Sequence, residues 1–222
     1  MKAEAVTLFK EDVLALGQMV ARMVAEMARM LRKDKSADLE LIENEEKAIN
    51  QLYQQIEEHC LELLLEKELM AAKDIRTLVG STIIAAKFER MADHANRVAR
   101  TASWAREDDI DVPAELPVMA DAIHKMMQDV LFSFLTDATD KAEEVLHRDS
   151  EIDYLDAVLS KRLLSDLGEQ DQEKAQMRAQ FLFCTRFLER MGDLCTSVAK
   201  RSYFISTGKR LQPEASNIAS TP

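Results

Sequence analysis

The chain carries two copies of one pattern. FERMADHANRVA, Phe88 to Ala99, returns one hundred positions later as LERMGDLCTSVA, Leu188 to Ala199, with Glu89/Glu189, Arg90/Arg190, Met91/Met191, Asp93/Asp193, Val98/Val198 and Ala99/Ala199 in register. A second match runs at an offset of 103: Glu46, Ile49, Asn50 and Leu52 align with Asp149, Ile152, Asp153 and Leu155, and Gly17 and Asp34 with Ala120 and Asp137. A chain of 222 residues has room for two such units side by side, each one supersecondary element repeated. The change of offset places a three-residue length difference in the connection between the second and third segments of each unit, where loops absorb insertions.

Each unit reads as three helices. Leu8, Phe9, Leu16, Met19, Val20, Met23, Met27, Met30 and Leu31 recur at three- and four-residue steps over 4–33. Over 36–66 the seam is Leu39, Ile42, Glu46, Ile49, Tyr53, Ile56, Cys60 and Leu63, one member of which is an acid; over 72–106 it is Ile84, Phe88, Met91, Ala95 and Val98. The β-branched run Thr77 to Ile84 resembles a strand, but the long helical pattern around it wins. With only 5 glycines and 4 prolines, little interrupts these segments. The exception is EDDIDVPAELP, residues 107–117, which a helix does not cross. Beyond it the triplet returns near 117–137, 140–167 and 170–206. The expected fold is therefore all-α: two tandem antiparallel three-helix bundles, six long helices in all. The repeats occupy 1–106 and 118–207, joined by the acidic linker 107–117 and followed by a polar tail, 208–222, expected to be disordered.

The net charge of −11 repels nucleic-acid phosphates and anionic lipid headgroups, so no nucleic-acid partner is expected. No apolar run approaches a transmembrane segment, and the N-terminus, broken by Glu4, Lys10, Glu11 and Asp12, is neither signal peptide nor anchor. The expected location is cytoplasmic. Cys60, Cys184 and Cys195 form no C-x-x-C pair and read as buried apolar residues. Direct phosphate sensing is not expected either, because there is no Gly-rich phosphate loop and the overall charge opposes an anion.

The repeated acids demand an explanation. Glu89 and Asp93 are four apart, as are Glu189 and Asp193, and Asp149 and Asp153, so each pair shares one side of a helix. Like charges at that spacing repel by a few tenths of a kcal/mol. A single such pair is ordinarily wet surface, partly neutralised here by Arg90 or Arg190. The repeat argues for more, since Glu46 and Asp149 sit at matched seam positions. Small residues also flank the motifs, Ala85, Ala86 and Ala92 in one half and Thr185 and Gly192 in the other. Carboxylates converging in a helix–helix groove require a cation or protonation. Oxygen-only ligands suit Mg, Mn or iron; Zn usually takes more His or Cys.

The two Glu-Arg-Met-x-Asp motifs, KDIRTLV from Lys73 to Val79, HRDSEID from His147 to Asp153 and YFISTGKR from Tyr203 to Arg210 together resemble the PhoU family of phosphate-signalling proteins. The resemblance spans roughly residues 5–210. It implies a six-helix regulator without catalytic turnover, a negative regulator of phosphate uptake and of the phosphate regulon. The implied partners are the sensor histidine kinase PhoR and the phosphate ABC transporter through its ATPase PstB; the adaptor would be dimeric or monomeric, with a homodimer expected. It further implies metal clusters on the acid-x-x-x-Asp motifs, matched here by Glu89, Asp93, Glu189 and Asp193 with Glu46, Asp149 and Asp153 in support. Asn50 departs from the pattern, standing where the second half has Asp153.

Two rivals stand beside this reading. A carboxylate-bridged di-iron enzyme needs Glu-x-x-His on two helices. Glu144 and His147 fit once, but Asp121 and His124 are a poor second copy. A metal-free helical scaffold would instead use the acids as a docking surface for basic side chains.

Overall fold

The computed structural model describes residues 2–66, 70–165 and 172–211. Within them lie six helices and no strand: α1 Lys2–Leu31, α2 Leu39–Leu65, α3 Ala72–Glu107, α4 Glu115–Thr136, α5 Thr139–Ser165 and α6 Gln172–Thr207. The all-α class and the two three-helix halves are as the repeat requires, and Thr77–Ile84 lies inside α3. The expected length difference between connections falls on 67–69 and 166–171, and most of the polar tail on 212–222, all outside the described residues.

Local chemistry sets the helix ends. Asp38 caps α2, its side chain accepting the Glu40 N–H at 2.9 Å. Gly208, at φ +71°, closes α6, and its N–H donates to the Phe204 carbonyl at 2.9 Å. Between the halves, α3 stops at Glu107 and α4 starts at Glu115, so Pro117 falls in a first turn, where a missing N–H breaks no helix bond.

Within each half the middle helix packs on both its neighbours, α2 on α1 and α3, α5 on α4 and α6. The halves join through α1 against α4 and α3 against α6. The helices α1, α3, α6 and α4 thus close a ring of four, with α2 and α5 on its outer flanks. That arrangement explains the breadth of the apolar faces. Phe9, Val13, Leu16, Val20, Met23, Val24 and Met27 of α1 are all fully buried, because α1 meets three helices. Leu8, counted in the sequence stripe, is instead 54% exposed: one residue from Phe9 turns it about 100° away from the core. On α3 the five stripe residues are fully buried, and Ala85, Ala92, Ala99 and Ala102 beside them let three neighbours approach closely. Each large side chain buried here contributes about 1.5–3 kcal/mol.

The seam between halves is tight at Gly17 of α1, where a Cβ would come within 2.7 Å of the Phe88 ring and would also clash with Leu131 of α4. The matched aspartates Asp34 and Asp137 do different work. Asp34 organises the α1–α2 turn, accepting from Ser36 N–H at 2.9 Å and Arg29 Nε at 3.0 Å. Asp137 joins elements far apart in sequence, accepting from Lys10 Nζ of α1 at 3.0 Å and Ser206 Oγ of α6 at 2.9 Å.

Candidate functional site

Both acidic motifs lie on helices that face a flanking partner. Glu89 and Asp93 project from α3 beside α2, which carries Glu46; Glu189 and Asp193 project from α6 beside α5, which carries Asp149 and Asp153. α3 and α6 are antiparallel, with His94 stacked on Phe187 at 5.3 Å between ring centroids. That register sets the Glu89–Asp93 turn level with the Glu189–Asp193 turn, so the two grooves lie at one height on either side of the α3–α6 seam.

The carboxylates of each groove feel one another. In the second groove the Asp149 carboxyl is pushed up to about 6, by burial first and then by Asp153 and Asp193, with Glu189 adding and Lys200 opposing. Glu189 is raised by burial and by Asp193, Asp156 and Asp153 against the pull of Arg186. In the first groove Glu89 is raised by burial, then by Asp93, Glu46 and Glu57, while Arg90 opposes. Glu46, Glu89, Asp93, Asp149 and Glu189 are half-buried, whereas Asp153 and Asp193 are exposed. The structure thus gathers the seven residues into two groups, Glu46 with Glu89 and Asp93, and Asp149 with Asp153, Glu189 and Asp193.

Small residues make the second groove possible. A Cβ on Gly192 would stand 2.8 Å from Asp149 Oδ1 and 3.1 Å from Ile152, so glycine lets α5 bring its aspartate against α6. In the first groove Asn50 Nδ2 donates to Glu46 Oε1 at 2.8 Å, while its Oδ1 is buried without a hydrogen-bond partner.

This donor set is all oxygen and suits a hard divalent cation in kind. Asn50 turns its donor Nδ2 to Glu46, and its Oδ1 remains a buried acceptor without a partner. As placed, the carboxylates stand at electrostatic rather than coordination range: among the described residues no three His, Cys, Asp or Glu side chains enclose a metal position. The di-iron triplet finds no support, since Glu144 is held by Lys141 Nζ at 2.7 Å and His147 faces outward. The three cysteines are buried and unpaired; burial pushes the Cys184 thiol up to about 12 and raises Cys195 as well.

Sequence reasoning passed over Asp156. It is 8% exposed, accepts from Arg186 Nη1 at 3.0 Å and from Ser160 Oγ at 3.2 Å, and adds to the field on Glu189. The signal was available: at the offset of 103 it matches Tyr53, a seam position. Tyr53 in turn donates to Glu57 at 2.6 Å, and its phenol is raised to about 12 by that bond.

The model for the PhoU domain matches this chain twice, over residues 13–102 and 116–202. The chain belongs to the PhoU family. It is similar to the phosphate-specific transport system accessory protein PhoU homolog of Clostridium acetobutylicum, 28% identical over 201 residues, 90% of this chain and 91% of that protein. The homolog of the same name from Rhizobium meliloti is 27% identical over 90% of this chain and 84% of its own length. Among solved structures, the phosphate transport system regulatory protein PhoU from Streptococcus pneumoniae superposes with a TM-score of 0.82 at 25% identity, covering 96% of this chain and 100% of that one. PhoU from Pseudomonas aeruginosa shares the fold, with a TM-score of 0.87 at 23% identity over 94% of this chain and 100% of that chain. Both PhoU domain matches contain one Glu-Arg-Met-x-Asp motif, and the linker-bearing stretch 103–115 lies between them.

Proposed function

We propose that this PhoU-family chain is a regulatory accessory protein of phosphate transport, a negative regulator of the phosphate regulon that works by protein–protein contact. The observation that carries the reading is the double PhoU domain match together with relatives of that name aligned over 90% of the chain. Among the described residues no helix is long and apolar enough to cross a membrane. A cytoplasmic dimer that contacts both the transporter's ATPase, PstB, and the sensor kinase, PhoR, fits these features and needs no chemistry of its own. Such contact biases the kinase only if the accessory protein prefers one of its states.

The acid grooves belong to this proposal as cation sites. Glu46, Glu89 and Asp93 would hold a hard divalent ion between α2 and α3, and Asp149, Asp153, Glu189 and Asp193 would hold one between α5 and α6. A bound cation supplies charge neutralisation and a cross-link between helices. Without one, the grooves offer half-buried carboxylates to Arg and Lys of a partner, and elemental analysis of purified protein separates the two cases. The regulatory role itself is tested by deletion: phosphate-responsive genes should be expressed in phosphate-rich medium, and their continued repression would refute negative regulation.

A further inference from the structure

One turn past Asp193 the sign of the α6 surface reverses. Ser197, Lys200, Arg201 and Phe204 of α6, Lys87 of α3 and Arg210 beyond the Gly208 stop line a cleft of about 320 Å³. Among the described residues no carboxylate lines it. Among the described residues none of Lys87, Lys200, Arg201 and Arg210 is ion-paired, although Lys200 draws on Asp149 at longer range.

The repeat shows that this openness is particular to one half. Arg100, the counterpart of Lys200, is paired with Glu43 at 2.8 Å. At the offset of 103 the counterpart of Glu43 is Leu146, so the acid that neutralises the cation in the first half is an apolar residue in the second. Lys87 stands where the other half has Phe187, and Arg201 where it has Thr101. In a chain of net charge −11, four cations gathered in one cleft without acids repel one another unless an anion joins them.

We propose that this cleft binds a small multivalent phosphate anion, orthophosphate or pyrophosphate. Two guanidinium groups present paired N–H donors that match a tetrahedral oxyanion, the two ammonium groups add point charge, and the Ser197 hydroxyl supplies a further donor. The cleft, at about 320 Å³, admits either anion together with hydration water. Phe204, the only aromatic in the lining among the described residues, already carries Arg201 at 5.7 Å and Arg76 at 5.9 Å over its ring, so its face is taken up by guanidinium groups. The global charge that argues against an anion is thus overridden locally by residues from α3, α6 and the segment after it. This inference does not rest on the regulatory role or on metal in the acid grooves.

Isothermal titration calorimetry of the full chain, stripped of divalent metal by chelator and held at low ionic strength, tests it with orthophosphate and pyrophosphate in separate runs. One saturable site per chain for either anion is expected. Lys200→Glu and Arg201→Gln should each weaken it by about tenfold or more, and Arg100→Gln by less than about twofold. Circular dichroism melts of the three variants verify folding. Three results overturn the proposal: no saturable binding, equal loss from Arg100→Gln, or binding that returns only when divalent metal is restored, which would place the anion on a metal in the acid grooves.

Discussion

Gly192 and Asp149 occupy one space: a Cβ on the glycine would stand 2.8 Å from the aspartate Oδ1. In the other half the matched residues are Ala92 and Glu46, where the acid is longer by one methylene and the small residue larger by one methyl. Gly192→Ala gains about 1 kcal/mol of helix propensity but forces overpacking that costs about 1–3 kcal/mol. The expected net loss is about 0–2 kcal/mol in urea denaturation, centred on about 1 kcal/mol. A variant as stable as the parent would show that the groove has slack.

The raised Asp149 carboxyl makes stability depend on pH. Its folded value of about 6 lies above the ordinary 3.8, so the folded chain holds the proton more tightly. The stabilisation is fully present below about pH 3.8 and is lost as pH rises through about 6. In chelator-treated protein the thermal midpoint should therefore fall across this window, and Asp149→Asn should flatten that fall while raising the midpoint at pH 7.5. Glu89 and Glu189 shift in the same direction and add to the slope.

Divalent cations should reverse that loss. If Mg²⁺ or Mn²⁺ binds the folded grooves alone, a concentration one hundred times the Kd stabilises by about 2.7 kcal/mol. The midpoint should climb with metal in the parent and climb less in Asp149→Asn and Glu89→Gln. A midpoint indifferent to both ions, with no metal found by elemental analysis, would leave the carboxylates as a docking surface.

Phe88 links the acid motif to the seam between halves, since its ring fills the space that Gly17 leaves open and is fully buried. Phe88→Ala should cost about 3–5 kcal/mol, read as a lowered denaturation midpoint for the whole molecule. Because the cores of the two halves are continuous, one transition rather than two is expected.

The thiols offer an independent measure of the core. Cys184 and Cys195 are about 1% and 0% exposed, and burial raises both. Thiolate is the reactive form, so Ellman's reagent should react with these two only after denaturant is added. Rapid native labelling at Cys195 would show that the α6 core opens readily.

Much of this molecule was legible in one dimension. Helix periodicity, the scarcity of glycine and proline, and the repeat offsets place six helices, because each depends on residues within a few turns. The acid pairs at a spacing of four were legible for the same reason, as a helix fixes which side chains share its own face. Tertiary structure alone decided what covers each face. Leu8 turned outward, and Asp156 became a buried ion-pair partner. Asp137 was tied to Lys10 and Ser206, and Lys87 of α3 was set beside Lys200 and Arg201 of α6. These outcomes depend on packing α1 against α4 and α3 against α6 across long stretches of chain, and a repeat that is nearly symmetric in sequence does not state how its two copies will meet.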